Sequence, residues 1–154
     1  MKIRKYTEAD CDEMTDLFFN TVHSINKSDY STQQLNAWAT GNIDQAKWNN
    51  SFLKHYTVVA EIDGKIVGFG DLDSTYLDRL YVHKDYQHQG IASAILDCLE
   101  QYARQAGKSE MTTHASITAK PFFEKRGYHT IKEQQVMRNS VLLTNFVMKK
   151  HLLK

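Results

Sequence analysis

The segment LYVHKDYQHQGIASAIL, Leu80 to Leu96, constrains the fold of this chain more than any other. It starts with the apolar character of a β-strand and ends with the periodicity of a helix. Between the two lies a polar loop that closes on Gln87-His88-Gln89-Gly90. A strand that runs into a helix N-terminus presents unpaired backbone N–H groups and the positive end of a helix dipole. That arrangement suits an anion, phosphates above all. Gly90 would let the backbone approach a ligand closely, because a Cβ there would intrude. Gln87, His88 and Gln89 add donors with little charge. Taken alone, the loop is equally readable as a plain connection capped by polar residues. Neither G-x-x-x-x-G-K-[ST] nor G-x-G-x-x-G occurs, which argues against a nucleotide kinase or a dinucleotide enzyme.

The remaining elements follow from spacing. Lys2 to Tyr6 alternates and predicts a strand. Thr7 then offers an N-cap to a helix that carries Cys11, Met14, Leu17, Phe18, Thr21 and Val22 on one face, as far as Ser24. Ser31 with Gln34 has the pattern of a capping box for a helix through Ala39. Asp44 is placed to cap a third helical piece with Trp48 and Phe52. Tyr56 to Ile62 and Lys65 to Leu72 flank Asp63-Gly64, a hairpin signal, and Tyr76 to Val82 is the next strand. A helix is expected over Gln89 to Ala106, stopped by Gly107. Glu110 to Ala115 (strand) and Thr118 to Arg126 (helix, stopped by Gly127) come next. Tyr128 to Arg138 and Val141 to Lys149 close the chain as a hairpin through Asn139-Ser140. This order predicts one α/β domain over residues 1–154, with a mixed sheet and no linker or repeat.

Composition narrows the function. Nineteen Lys and Arg against eighteen Asp and Glu leave a formal charge of +1, without the basic excess of a nucleic-acid surface. The opening MKIRKYTEAD lacks the apolar stretch of a signal peptide, and no apolar run is long enough for a membrane span. Cys11 and Cys98 fall on apolar helical faces without metal-ligand spacing, so two buried thiols, no disulfide and no metal are expected. The expected compartment is the cytoplasm. The expected state is a monomer or a homodimer.

Gln87-His88-Gln89-Gly90-Ile91-Ala92 matches the [Q/R]-x-x-G-x-[G/A] motif of GCN5-related N-acetyltransferases (GNATs), between a strand ending LYV and an amphipathic helix. Downstream, ASITAKPFFEKRGY, Ala115 to Tyr128, resembles the family's second signature. The chain is therefore similar to GNATs over its whole length, and YLDRLYV with ASITAKPFFE resembles the small bacterial YafP-like branch. The resemblance implies a mixed, mostly antiparallel sheet of six to seven strands with helices on both faces. It implies an acyltransferase that uses acetyl-CoA as co-substrate and acetylates a primary amine of a small molecule or peptide. Direct attack in a ternary complex would need no covalent intermediate. The backbone of Leu80, Tyr81 and Val82 would then splay from the neighbouring strand and hold the pantetheine arm. The amides from Gln87 to Ala92, Gln89 among them, would hold the pyrophosphate. Ser116 stands where many relatives have an asparagine, and Ala119, Phe122 and Phe123 would pack beside the cofactor. Lys120, Lys125 and Arg126 are candidates for the nucleotide 3′-phosphate.

The family's acid is missing. Phe123 stands where many relatives have a tyrosine that protonates the leaving thiolate, and Tyr128 lies beyond the helix-stopping Gly127 as an aromatic core residue. For the base, simple alternation places Tyr76, Asp78, Leu80 and Val82 on one face. Asp78 is the candidate for direct base, water-relay base or amine-binding anion, with Tyr76 beside it; a plain ion pair is the competing reading. His114, on the adjacent strand, has a suitable ordinary pKa. His23, Tyr30 and Trp38 are candidates for the acceptor site, with Trp38 also readable as a core anchor. Two other readings remain: a non-catalytic acyl-CoA-binding or regulatory module, for which Phe123 speaks, and a toxin-like acetyltransferase of charged tRNA, against which the charge speaks.

Overall fold

The computed structural model describes residues 1–152. Seven strands form one sheet: β1 (Lys2–Lys5), β2 (Tyr56–Ile62), β3 (Lys65–Asp73), β4 (Tyr76–Val82), β5 (Glu110–Ser116), β6 (His129–Arg138) and β7 (Val141–His151). Their spatial order is β1-β2-β3-β4-β5-β7-β6. Every adjacent pair is antiparallel except β4 with β5, which run parallel. The mixed, mostly antiparallel α/β architecture read from the sequence is the one found.

Both faces of the sheet are covered. On one, α4 (Ile91–Gln105) and α5 (Lys120–Lys125) bury Ile95, Leu99 and Phe123 against Val58, Leu77 and Met148. On the other, α1 (Cys11–Ile25), α2 (Thr32–Trp38) and α3 (Gln45–Lys54) bury Met14, Leu35 and Phe52 against Val59 and Phe69. Gly68 and Gly70 let α4 approach β3 closely. A Cβ on either would stand 2.9 Å from an Ile95 methyl group.

Local chemistry explains the ends of the elements. Ser31 and Gln34 make the reciprocal capping box, and Asp44 accepts from Lys47 N–H at 3.1 Å. Asp63 (φ 50°) and Gly64 (φ 79°) form the hairpin turn, as Asn139 and Ser140 (φ 47° and 65°) do in the last one. The first helix starts later than expected. Glu8–Asp10 is a 3₁₀ turn, because the Asp10 carboxylate turns back to Thr7 N–H at 2.8 Å and pairs with Arg4. α4 likewise begins at Ile91, not Gln89, since His88 (φ 61°) and Gly90 (φ 79°) are left-handed. α5 is shorter than predicted because Ser116 Oγ accepts from Ala119 N–H at 3.0 Å and holds the preceding residues in a turn. Cys11 is buried as expected, whereas Cys98 is half-buried at the edge of α4. No helix among the described residues is long and apolar enough to cross a membrane.

Candidate active site

The site is a fault in the sheet. β4 and β5 pair only at Tyr76 with Thr112 and Leu77 with Thr113, then diverge. A cleft of about 850 Å³ opens beyond that point, bounded on one side by Leu80, Tyr81 and Val82 and on the other by Thr113 to Ser116. His83 N–H bonds to Val67 O at 2.8 Å, so the alternate backbone groups of Leu80 and Val82 face the opening rather than β3. Val82 O is engaged there: it accepts from Thr21 Oγ1 at 3.0 Å and from Gln87 Nε2 at 2.8 Å. The N–H groups of Leu80 and Val82 have no β5 partner.

One end of the cleft is built for an anion. The first intrahelical bond of α4 is Ala94 N–H to Gly90 O, which leaves the N–H groups of Ile91, Ala92 and Ser93 ahead of the ladder. All three residues line the cleft, with His88 and Gly90. The left-handed turn at Gly90 is what an L side chain there would strain, and a Cβ would meet no atom within 4 Å. The side chain of Gln87 folds back onto β4, so it serves the loop's shape. Gln89 does not line the cleft. Further along, Ser116, Ala119, Phe122 and Phe123 line the wall. The Ser116 hydroxyl accepts from Ala119 N–H, which leaves its own O–H free to donate. Phe123 packs edge-on against Phe122 and Tyr128. Tyr128 is buried, donating from its hydroxyl to Glu100 at 2.8 Å, a core role as expected. Lys120 pairs with Glu124, and Arg126 with Asp97 and Glu100.

Asp78 and His114 line the cleft next to the paired start of β4 and β5; Trp38, Asn26 and Thr21 also line it, Thr21 at the Val82 end. Alternation misplaces Asp78. Asp71 pairs with Arg79 and Leu72 with Leu77, so Asp78 is the extra residue of a β-bulge. Leu77 and Leu80 pack with the α4 core, while Asp78 stands beside Asp71, Arg79 and His55 toward α3. The expectation that Asp78 points the same way as Leu80 is thus corrected. Burial, the largest influence, pushes the Asp78 carboxyl above its ordinary pKa; Arg79 opposes this, Asp71 adds to it, and His55 opposes it more weakly. Burial likewise raises the Tyr76 phenol to about 12. Tyr76 does not line the cleft but stacks edge-on against His114, whose pKa burial lowers, with Arg138 and Lys132 adding to the effect.

Two acceptor candidates have structural partners instead. His23 shares a 2.8 Å hydrogen bond with Ala39 O and ties α1 to the end of α2. Tyr30 donates to Thr144 O at 2.7 Å and accepts from Ile117 N–H at 2.9 Å. Neither lines the cleft, but the Tyr30 ring backs Trp38, which does. Trp48 lies against the Arg79 guanidinium. Sequence reading missed Thr21, Asn26, Arg79 and the pair His55–Asp71. The one signal for the last was an aspartate inside the otherwise apolar IVGFGDL.

The family model for the acetyltransferase (GNAT) domain matches residues 26–150. The chain is 38% identical to the uncharacterised N-acetyltransferase YafP of Escherichia coli (strain K12), over 97% of this chain and 95% of that one. The protein belongs to the GCN5-related N-acetyltransferase family. A GCN5-related N-acetyltransferase from Rhodopseudomonas palustris has the same fold with a TM-score of 0.95, at 33% identity over 98% of this chain and 95% of that one. The PaiA N-acetyltransferase of Thermoplasma acidophilum, solved in complex with coenzyme A, shares the fold with a TM-score of 0.80 at 19% identity, covering 97% and 98%. The GNAT chain is therefore an acyltransferase of an acetyl-CoA-binding family, and the motif that begins at Gln87 lies at the open end of its β4–β5 cleft.

Proposed function

We propose that this GNAT transfers an acetyl group from acetyl-CoA to a primary amine of a small molecule or peptide, by direct attack within a ternary complex. The observation that carries the reading is the single cleft at the β4–β5 divergence, with free N–H groups at one end and Asp78 at the other. The residues fit a coenzyme A. The first-turn N–H groups of Ile91, Ala92 and Ser93, with the left-handed turn at Gly90, would receive the pyrophosphate. The N–H groups of Leu80 and Val82 would hold the pantetheine arm and the acyl oxygen, and Ala119 and Phe122 the arm's apolar side. When bound, the coenzyme supplies an activated acetyl thioester.

The chain's own residues supply orientation, donors and a proton acceptor. Holding both reactants in one channel removes much of the entropic barrier. Donors already fixed on β4 stabilise charge on an oxygen without reorganising. Asp78, ionised, holds the acceptor's ammonium and takes its proton directly or through one water. Trp38 and Asn26 wall the acceptor. Phe123 has no proton to give, so the acid would be a water or another residue, or the coenzyme A thiolate would leave unaided.

Calorimetric titration with acetyl-CoA tests the reading. Wild type should bind and a Gly90→Glu variant should not, since the new side chain brings strain and negative charge to the anion site. Failure of the folded wild type to bind would remove the cofactor assignment. Binding without turnover across a broad amine panel would favour a non-catalytic acyl-CoA-binding module, for which the Phe123 position speaks.

A further inference from the structure

Asp78 is backed by a buried ionic cluster outside the cleft's cofactor wall. His55, the residue that follows α3, places Nδ1 2.8 Å from Asp71 Oδ2 and 3.9 Å from Asp78 Oδ2, and Nε2 3.8 Å from Asp73 Oδ2. Arg79 Nη1 lies 2.5 Å from Asp71 Oδ2 and 3.4 Å from Asp78 Oδ2. Asp71 is completely buried, and its Oδ1 has no hydrogen-bond partner. The guanidinium is clamped by the rings of Trp48 and Phe52, at 4.5 and 4.9 Å, and donates to Ser51 Oγ at 3.2 Å. An Asp71–Arg79 pair between β3 and β4 would suffice to hold the guanidinium against Trp48, Ser51 and Phe52 of α3. It does not account for a second carboxylate bulging toward it, nor for a histidine within reach of both.

We propose that His55 and Asp71 are positioning residues for Asp78: His55 supplies the positive charge that keeps Asp78 ionised in the cleft, and Asp71 fixes His55 and Arg79 on either side of it. The inference rests on the reading of Asp78 as the group that meets the amine. Asp78 is exposed at the cleft surface, with 31% of its side chain accessible, yet the packed walls beside it disfavour the charged form, so a lone carboxylate there takes up a proton more readily. Here three carboxylates face two cations, so the cluster carries one net negative charge with His55 protonated and two with His55 neutral. The hydrogen bond to Asp71, the largest influence, raises the pKa of His55 against the desolvation that lowers it; Asp78 and Asp73 raise it further. Tyr76 and His114 complete the ring of titratable groups around Asp78. The first is held neutral by burial, and the second is pushed toward its neutral form with help from Arg138 and Lys132 on β6. His55 is thus the group whose titration changes the charge beside Asp78. The donor atoms of His55, Asp71 and Asp78 lie within 4.8 Å of one another, the spacing of a metal site. Arg79 already sits against both carboxylates and supplies the charge that a cation would bring.

A carbon-detected NMR titration of the full chain tests this, with the Asp78 carboxyl signal identified by its loss in Asp78→Asn. In wild type that signal should show a second inflection at the pH where the His55 ring titrates. In His55→Gln its main midpoint should move to higher pH, and in Asp71→Asn the second inflection should shrink, because the imidazole is no longer held beside Asp78. A purely structural role would leave both the midpoint and the second inflection as in wild type. A wild-type Asp78 signal with no inflection at the His55 midpoint overturns the proposal, whether or not either variant folds. The titration needs neither acetyl-CoA nor an amine. Coupling without any effect of Asp78→Asn on turnover would leave the cluster standing and remove only the base role.

Discussion

Thr21 Oγ1 donates to Val82 O across 3.0 Å, so α1 grips β4 where the sheet comes apart. The same oxygen accepts from Gln87 Nε2, and the two donors replace a β5 strand that has already turned away. Thr21→Val removes one of them from a buried carbonyl. The variant should lose roughly 1 kcal/mol of stability, as for a typical hydrogen bond. By calorimetry its Tm should fall by about 2–4 °C, the scale for a chain of this size. An unchanged Tm would mean that Gln87 alone satisfies the oxygen.

Gly70 and Gly41 should respond oppositely to alanine. At Gly70 the new Cβ would stand 2.9 Å from Ile95 Cγ2, 3.0 Å from Leu99 Cδ1 and 3.3 Å from Arg79 O. Overpacking of this kind costs about 1–3 kcal/mol. At Gly41 the Cβ would meet nothing within 4 Å, and Gly41→Ala should be neutral or stabilise by about 0.4–1 kcal/mol through the unfolded state. Urea midpoints for the pair, at equal m-values, read both effects.

Asp78→Asn should lower turnover by roughly 10²–10⁴ if the carboxylate is the general base. Its affinity for acetyl-CoA should not change, since Asp78 lies at the far end of the cleft from Gly90. Turnover equal to wild type at saturating amine, at every pH, would eliminate the base.

Acid should weaken the β1–α1 corner. Desolvation pushes the Asp10 carboxyl upward, but hydrogen bonds from Arg4 at 2.8 and 2.9 Å and from Thr7 N–H outweigh it, so its pKa lies below the ordinary value of 3.8. A group whose folded pKa is depressed contributes its stability above the unfolded value and loses it as pH falls through the folded one. Arg4→Met should therefore flatten the fall of Tm below about pH 4, relative to wild type. Parallel curves for the two proteins would show that Thr7 alone holds the carboxylate.

Much of this fold is written locally. Asp63-Gly64, Ser31 with Gln34, and Asp44 each act within four residues, and each turned or capped as its chemistry required. The loop at Gly90 was legible for the same reason. Asp78 was not, because a bulge is a property of two strands in register and a period-2 count along one of them cannot see it. Thr21, His55 and Asp71 were missed since their partners lie 61 and 16 residues away. His23 looked functional from its type and position, yet α2 ends where Ala39 O needs a donor.

The two rungs between β4 and β5 also set the mechanics of the molecule. Four strands on one side and three on the other are joined by long ladders interrupted only by single bulges, whereas the seam between them has two backbone pairs and the packed helices on either face. Such a sheet behaves as two stiff plates on a short hinge. Any molecule that fills the seam with hydrogen bonds to both plates completes the missing ladder, so occupancy and rigidity rise together.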